Sequence, residues 1–196
     1  MKLKISIVIV FLFNLSTILF GQELNTKDSL DACTITNDFF EWYIDATNKR
    51  INSAYQPRFI ESEIGYTTLD FKEYFKNLKK YHCSKTFIEN ERESYTECLK
   101  NIEEITIVYF KEQFTDIDQL EEINCDFENY YRWTGGQEPI QGIRILKIEM
   151  ISNNQIKVTI DYSSEKGESN KIKYWGKNEI TLLKIKAKWK INDINL

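Results

Sequence analysis

The sequence predicts an α+β fold in which N-terminal helices pack on a curved antiparallel sheet that ends in a C-terminal four-strand meander. Three observations predict it. From Gly142 onward apolar residues recur with a period of two, between Thr36 and Ile102 they recur at helical spacing, and short polar segments separate the runs. A domain usually holds roughly 150 residues, so the 196-residue chain is read as one domain over 35–196 behind a short leader.

The leader comes first. Lys2 and Lys4 precede an apolar run from Ile5 to Phe20 that includes Asn14, Ser16 and Thr17, and Gly21-Gln22 follows. A basic start, a short apolar stretch and a small residue make an export signal peptide over 1–21, cleaved after Gly21. The run falls short of the about 18 uninterrupted apolar residues of a membrane span, so no stable membrane anchor is expected after cleavage. Leu30-Asp31-Ala32-Cys33 looks like a lipid-attachment box, but Glu23, Lys27, Asp28 and Asp31 separate it from the apolar run. Residues 22–34 are polar and are expected to be a flexible lead-in.

Phe39, Phe40, Tyr43, Ile44 and Thr47 recur at helical spacing, with Thr36 or Asn37 as the capping residue and the end near Arg50. Residues 52–67, with Pro57 and Gly65, read as a long connection. A second helix starts near Asp70 and carries Phe71, Tyr74, Phe75, Leu78 and Tyr81 on one stripe. Ser84 caps a third, bearing Phe87, Ile88, Tyr95, Leu99 and Ile102, which the polar stretch 89–94 is able to break. Ile105–Phe110 is rich in β-branched and aromatic residues and reads as a strand. Asp116-Ile117-Asp118 opens an acidic segment that lacks the third oxygen ligand and glycine of a calcium loop, so it reads as a solvated helix start.

In the meander, Ile156, Val158, Ile160 and Tyr162 alternate with Lys157, Thr159 and Asp161, which makes a half-buried strand. Upstream, the phase slips by one residue at Ile145–Leu146, as a bulge would cause. Asn153-Asn154 suits a two-residue turn because Asn tolerates positive backbone angles. A polar loop from Ser163 to Asn170 holds Gly167, after which Ile172, Tyr174, Ile180, Leu182, Leu183, Ile185 and Ala187 resume the pattern and Trp189 and Ile191 close it.

Loss of the leader removes two lysines, which takes the net charge from −4 to about −6. With Lys and Glu interspersed, no basic stripe exists to track phosphates, so no nucleic-acid partner is expected. Abundant Lys, Ile, Asn and Glu with 2 prolines point to an AT-rich bacterial genome. The 4 cysteines, Cys33, Cys83, Cys98 and Cys125, all follow the leader, and an even number in an exported chain argues for two disulfides. Zinc spacing is lacking and His82 is the single histidine, so no metal is expected. If the third helix is continuous, Cys83 and Cys98 stand about 22 Å apart, beyond the about 7 Å of a bridge. Two pairings stay open, Cys33–Cys83 with Cys98–Cys125 or Cys33–Cys98 with Cys83–Cys125, and the first is preferred.

Residues 38–43 (Asp-Phe-Phe-Glu-Trp-Tyr), 81–87 (Tyr-His-Cys-Ser-Lys-Thr-Phe) and 182–185 (Leu-Leu-Lys-Ile) leading to Trp189-Lys190-Ile191 carry a resemblance. Together with the element order, the chain resembles the nuclear-transport-factor-2-like, or cystatin-like, cone superfamily that includes ketosteroid isomerase and scytalone dehydratase. Within it, the chain looks most similar to small exported bacterial domains of unknown function. The resemblance implies a cone-like α+β roll, a curved sheet wrapped on a long helix around a pocket. In the superfamily's enzymes that pocket holds an acid or base, often with a histidine or tyrosine partner. Fold alone does not choose a function.

Aromatic walls hold sugars, peptides and flat organic molecules. Trp42, Trp133, Trp175 and Trp189 with Tyr130 and Tyr131 are the residues most able to line a pocket; Trp189 suits the core, and Trp42, Tyr130, Tyr131 and Trp133, the last three beside Gly135-Gly136, are the candidate ligand-binding residues. Tyr43 and Asp45 form an acid and phenol two residues apart, a spacing that turns them to different faces of a helix. His82, beside a helix start, suits a capping or half-buried structural role. The sequence names no catalytic residue and no cofactor. The expected function is that of a periplasmic or secreted, non-enzymatic bacterial domain that binds a small molecule or a protein partner. The alternatives are an enzyme of the ketosteroid-isomerase or dehydratase type with a carboxylate base in the cone, and a secreted interaction or immunity-type protein.

Overall fold

The computed structural model describes residues 25–164 and 173–195. The expected signal over 1–21, and the loop beyond Ser164 with Gly167 and Ile172, lie outside them. The first helix, α1 (Thr26–Asn48), starts well before Thr36 because Asn25 caps it, its side chain accepting the Asp28 N–H at 2.8 Å. From residue 26 onward the expected flexible lead-in is therefore helix. Asp28 explains why: it is buried, and its Oδ1 accepts from Trp189 Nε1 at 2.7 Å and Lys184 Nζ at 3.0 Å, so distant strands hold this polar turn in place.

The end of α1 is set by Arg50, whose φ of 55° is left-handed, and by an Ile51 N–H bond to the Ala46 carbonyl at 2.9 Å. That is the reach of a Schellman cap, a place usually held by glycine. The expected long connection contains α2 (Asn52–Tyr55) and a hairpin of β1 (Arg58–Glu61) and β2 (Thr67–Asp70). Next come α3 (Lys72–Lys80), α4 (Lys85–Glu93), capped by Ser84 as expected, and α5 (Thr96–Ile102). The polar stretch 89–94 does break the third helix, at Ser94-Tyr95.

Ile105–Phe110 is not a strand. Thr106 accepts the Tyr109 N–H and caps α6 (Ile107–Gln113), and only a Tyr66–Thr106 bridge and an Ile105 carbonyl bond to Thr67 N–H remain extended. The acidic opening at Asp116 is the helix start expected, a capping box with Gln119 that begins α7 (Ile117–Glu122).

Four strands, β3 (Gly142–Ser152), β4 (Gln155–Ser164), β5 (Lys173–Ile185) and β6 (Lys188–Asn195), form an antiparallel meander in that order. Its register shifts leave Leu146 and Ile151 of β3, Gly176 of β5 and Asn192 of β6 as extra residues. Each bulge bends its strand and adds twist. Gly176, at φ +70°, lies where a side chain would be strained. The turn at 153–154 is made without positive φ; Lys186 at 48° and Ala187 at 63° take the left-handed pair instead. The sheet buries Ile156, Val158, Ile160, Ile180, Leu182 and Ile191 against Ala32, Phe39, Phe40 and Tyr43 of α1.

The β6 edge is covered at Ile191. His82, left-handed at φ 69°, accepts the Ile191 N–H at 2.9 Å, and Ser84 N–H donates to the Ile191 carbonyl at 2.7 Å. Unpaired edge groups invite association, so the α3–α4 junction closes this one. The His82 ring meets Asp38 at 3.3 Å.

Cys98 and Cys125 form a disulfide, Cα to Cα 4.9 Å, which ties α5 to the segment after α7. The preferred second bond, Cys33–Cys83, is not formed: both are free thiols. Cys33 lies half-buried on α1, where Asn37 donates to its sulfur, and Cys83 is buried in the bridge to Ile191, so each is held by its own element. Among the described residues, no helix is long and apolar enough to cross a membrane, and no cluster of three metal-ligating side chains occurs.

Candidate functional site

The loop after α7 decides where the candidate aromatics go. Tyr131 bridges to Gly136, its N–H donating to the Gly136 carbonyl at 2.8 Å, and its own carbonyl accepts from Thr134 and Gly135, the latter at φ 61°. This tight turn throws alternate side chains to different places. Arg132 reaches back to α4, where Nε and Nη2 contact the Glu91 carboxylate at 3.0 Å each and Nη2 donates to Ser94 Oγ at 3.0 Å. Glu91 is buried and also accepts from the Tyr74 hydroxyl at 2.8 Å. The buried Tyr95 hydroxyl lies beside both without hydrogen-bond geometry to either.

Trp133 points inward and is 5% exposed, its ring against Phe39 and Phe87. Its backbone N–H donates to the Tyr43 hydroxyl at 3.4 Å, and its backbone carbonyl accepts from Tyr162 at 2.7 Å and Asn178 at 3.4 Å. Asn178 Nδ2 also donates to the Tyr162 hydroxyl. This polar seam fills the space between α1 and the sheet, and burial raises the Tyr43 and Tyr162 phenols well above their usual range. Asp28, Glu91 and Asp161 are the buried acids among the described residues, paired with Lys184, Arg132 and Arg144.

Tyr130 and Tyr131 stay at the surface, on the wall between two clefts. One, of about 310 Å³, is lined by Arg50, Asn52, Tyr55, Gln56, Glu128 and Asn129 along with both tyrosines and Gln137. The other, of about 300 Å³, lies on the Tyr95, Phe127 and Arg132 side. In the first cleft, the Tyr55 and Tyr131 rings sit 6.4 Å apart and tilted, and the Tyr55 hydroxyl donates to Asn52 Oδ1 at 2.8 Å. Burial, with Tyr131 and Glu128 close by, pushes the Tyr55 phenol up to about 12. Glu128 keeps solvent-exposed surface, yet the concave wall around it withdraws enough water to raise its carboxyl. Asn129 Nδ2 is buried without a hydrogen-bond partner in the chain. The cleft thus offers ring faces, side-chain amides, a guanidinium and a carboxyl whose pKa desolvation raises.

Of the four sequence candidates, Tyr130 and Tyr131 come together here. Trp133 lines neither cleft, and Trp42 lies elsewhere on α1, stacked on Tyr81 at 4.8 Å. The Trp175 side chain lies outside the description, and Trp189 is in the core. Asp45 pairs with Lys49 in solvent while Tyr43 faces the core, the opposite faces that their spacing demands. Sequence reasoning missed Arg50, Asn52, Tyr55, Gln56, Glu128, Asn129 and Gln137. The available signal was composition: Asn, Tyr and Gln crowd 52–56 where a bare connection needs none. Comparison with family models, curated proteins and solved structures gives no match to this chain.

Proposed function

We propose that the chain is an exported, periplasmic or secreted domain that binds a small polar molecule of saccharide size in the cleft lined by Tyr55, Tyr130 and Tyr131. The observation that carries this reading is the convergence of those rings with Arg50, Asn52, Gln56, Asn129 and Gln137 on one cleft of about 310 Å³. That volume sits at the lower end of ligand pockets, which begin near ~300 Å³, and so suits one or two rings of a glycan. The Tyr131 and Tyr130 rings, which keep exposed surface, stack on the apolar side of a sugar ring, while the amides and guanidinium pair with hydroxyls or a carboxylate. The Cys98–Cys125 disulfide supports a compartment outside the reducing cytosol, and a curved sheet wrapped on a long helix supports the cone-like relationship.

Calorimetric titration of the mature protein with soluble saccharides and cell-wall fragments tests the reading. Tyr131→Ala should weaken the best ligand at least about tenfold, the scale of a lost stacking contact. Binding that is indifferent to Tyr131 would remove the cleft from consideration.

Glu128 favours a second reading, a proton-transfer enzyme that uses this raised carboxyl beside the Tyr55 phenol. The two readings separate on Glu128→Gln, which keeps binding in both cases and abolishes turnover only in the second.

A further inference from the structure

We propose that the face built by α3 and Arg92 docks an acidic segment of a partner protein, one that presents an apolar side chain between carboxylates. The face is a groove of about 740 Å³. Its floor is Leu69, Phe71 and Phe75, all buried, with the two rings stacked at 4.9 Å. Arg92 lies over both rings, 4.8 Å from the Phe71 centroid and 4.7 Å from that of Phe75. Lys72, Lys76, Lys79 and Lys80 complete the rim.

Charge identifies the occupant. The chain as a whole is acidic, at −4, yet this rim gathers five cations. Lys76 pairs with Glu73 at 3.1 Å and Lys80 donates to the Tyr81 hydroxyl at 3.0 Å. Among the described residues, Lys72, Lys79 and Arg92 have no carboxylate within ion-pair distance. Cations without an ion-pair partner around an apolar floor complement carboxylates flanking an apolar anchor. A planar bilayer meets the lysine ammoniums but gains little from Leu69, Phe71 and Phe75, which are buried. A small hydrated anion leaves the phenylalanine floor unused.

The test is fluorescence anisotropy of a labelled synthetic peptide, glutamates around a central phenylalanine, titrated with the mature protein. The reference peptides carry glutamine for glutamate, or alanine for the phenylalanine. The proposal expects binding that weakens at least about tenfold with either reference peptide, and likewise with Lys72→Glu combined with Lys79→Glu. High salt should weaken it too. Glutamate at Lys72 lies in the first turn of α3, where negative charge favours the helix, whereas glutamate at Lys79 opposes the dipole in the last turn, so circular dichroism is used to check the fold. Should the double variant unfold, glutamine at both positions is the replacement.

Three results overturn the proposal. In one, the alanine peptide binds as well as the phenylalanine peptide, which leaves only charge. In another, anionic phospholipid vesicles bind and the peptide does not. In the third, the protein self-associates through this face, the occupant being the hairpin tip of a second copy, where Ile64 is 79% exposed beside Glu63. Saccharide titration of the double variant should be unchanged, so failure here is separable from failure at the Tyr55–Tyr131 cleft.

Discussion

The Trp189 indole N–H donates to Asp28 Oδ1 at 2.7 Å, across 161 residues of sequence. The pair joins the first turn of α1 to the last strand, and Lys184 Nζ completes the site at 3.0 Å. Asp28 has almost no surface of its own exposed, yet it sits near the rim of the fold where solvent still screens it. Its partners therefore outweigh its desolvation. The bonds from Trp189 and Lys184 hold the carboxyl below the usual aspartate value, with Asn25 adding to them.

A depressed carboxyl stabilises the fold above the unfolded-state pKa, and that contribution fades as pH falls through the lower folded value. Asp28→Asn should cost about 1–3 kcal/mol at neutral pH, and the gap to wild type should close as the medium is acidified below the ordinary aspartate range. Urea titrations across that pH range check the prediction. A gap that widens on acidification would contradict it.

The disulfide closes a loop of 27 residues, for which chain entropy gives roughly 3–4 kcal/mol. Replacing Cys98 and Cys125 together by alanine should lower stability on that scale. Mass spectrometry with alkylation should find two thiols: Cys33 labelled in the native protein, and Cys83 only after unfolding, since burial also pushes its thiol up. Labelling of none would restore the second bridge.

Arg132 contacts the buried Glu91 through two nitrogens and anchors the turn that carries Tyr131. Arg132→Ala leaves that carboxylate uncompensated. Breaking a buried pair costs about 3–5 kcal/mol, reduced here to about 2–3 because the arginine side is partly exposed. The double variant Glu91→Leu with Arg132→Leu should recover part of the loss. A thermodynamic cycle showing full additivity would contradict the coupling.

Arg50 lines the cleft in a left-handed conformation. Glycine adopts that conformation freely, so Arg50→Gly should raise stability by about 1 kcal/mol while it weakens ligand binding. Chemical denaturation and calorimetry measure the two sides. A loss of stability would show that the arginine stabilises the fold through contacts other than its cap.

The meander was legible because alternation at Ile156, Val158, Ile160 and Tyr162 is a local property, and so was the slip at Ile145–Leu146. The cap at Ser84 and the helix start at Asp116 were equally local. The beginning of α1 was not, since residues 26–34 are held by Trp189 and Lys184, which no window of sequence can pair with them. Ile105–Phe110 misled because its β propensity was overridden by the Thr106 cap. At the site, Tyr130 and Tyr131 could be picked out beside their glycines. Glu128, Tyr55 and Arg50 could not, because chain folding alone brings the end of α1 next to the turn after α7. Trp133 belongs to the same loop, but a tight turn sends neighbouring side chains in opposite directions.

The most direct test of the central claim is a two-dimensional NMR titration of the protein with a panel of saccharides and cell-wall fragments. Saturable shifts confined to Arg50, Asn52, Tyr55, Gln56, Asn129, Tyr131 and Gln137, absent in Tyr131→Ala, are the predicted result. Shifts that cluster elsewhere on the surface, or persist unchanged without the Tyr131 ring, would contradict it.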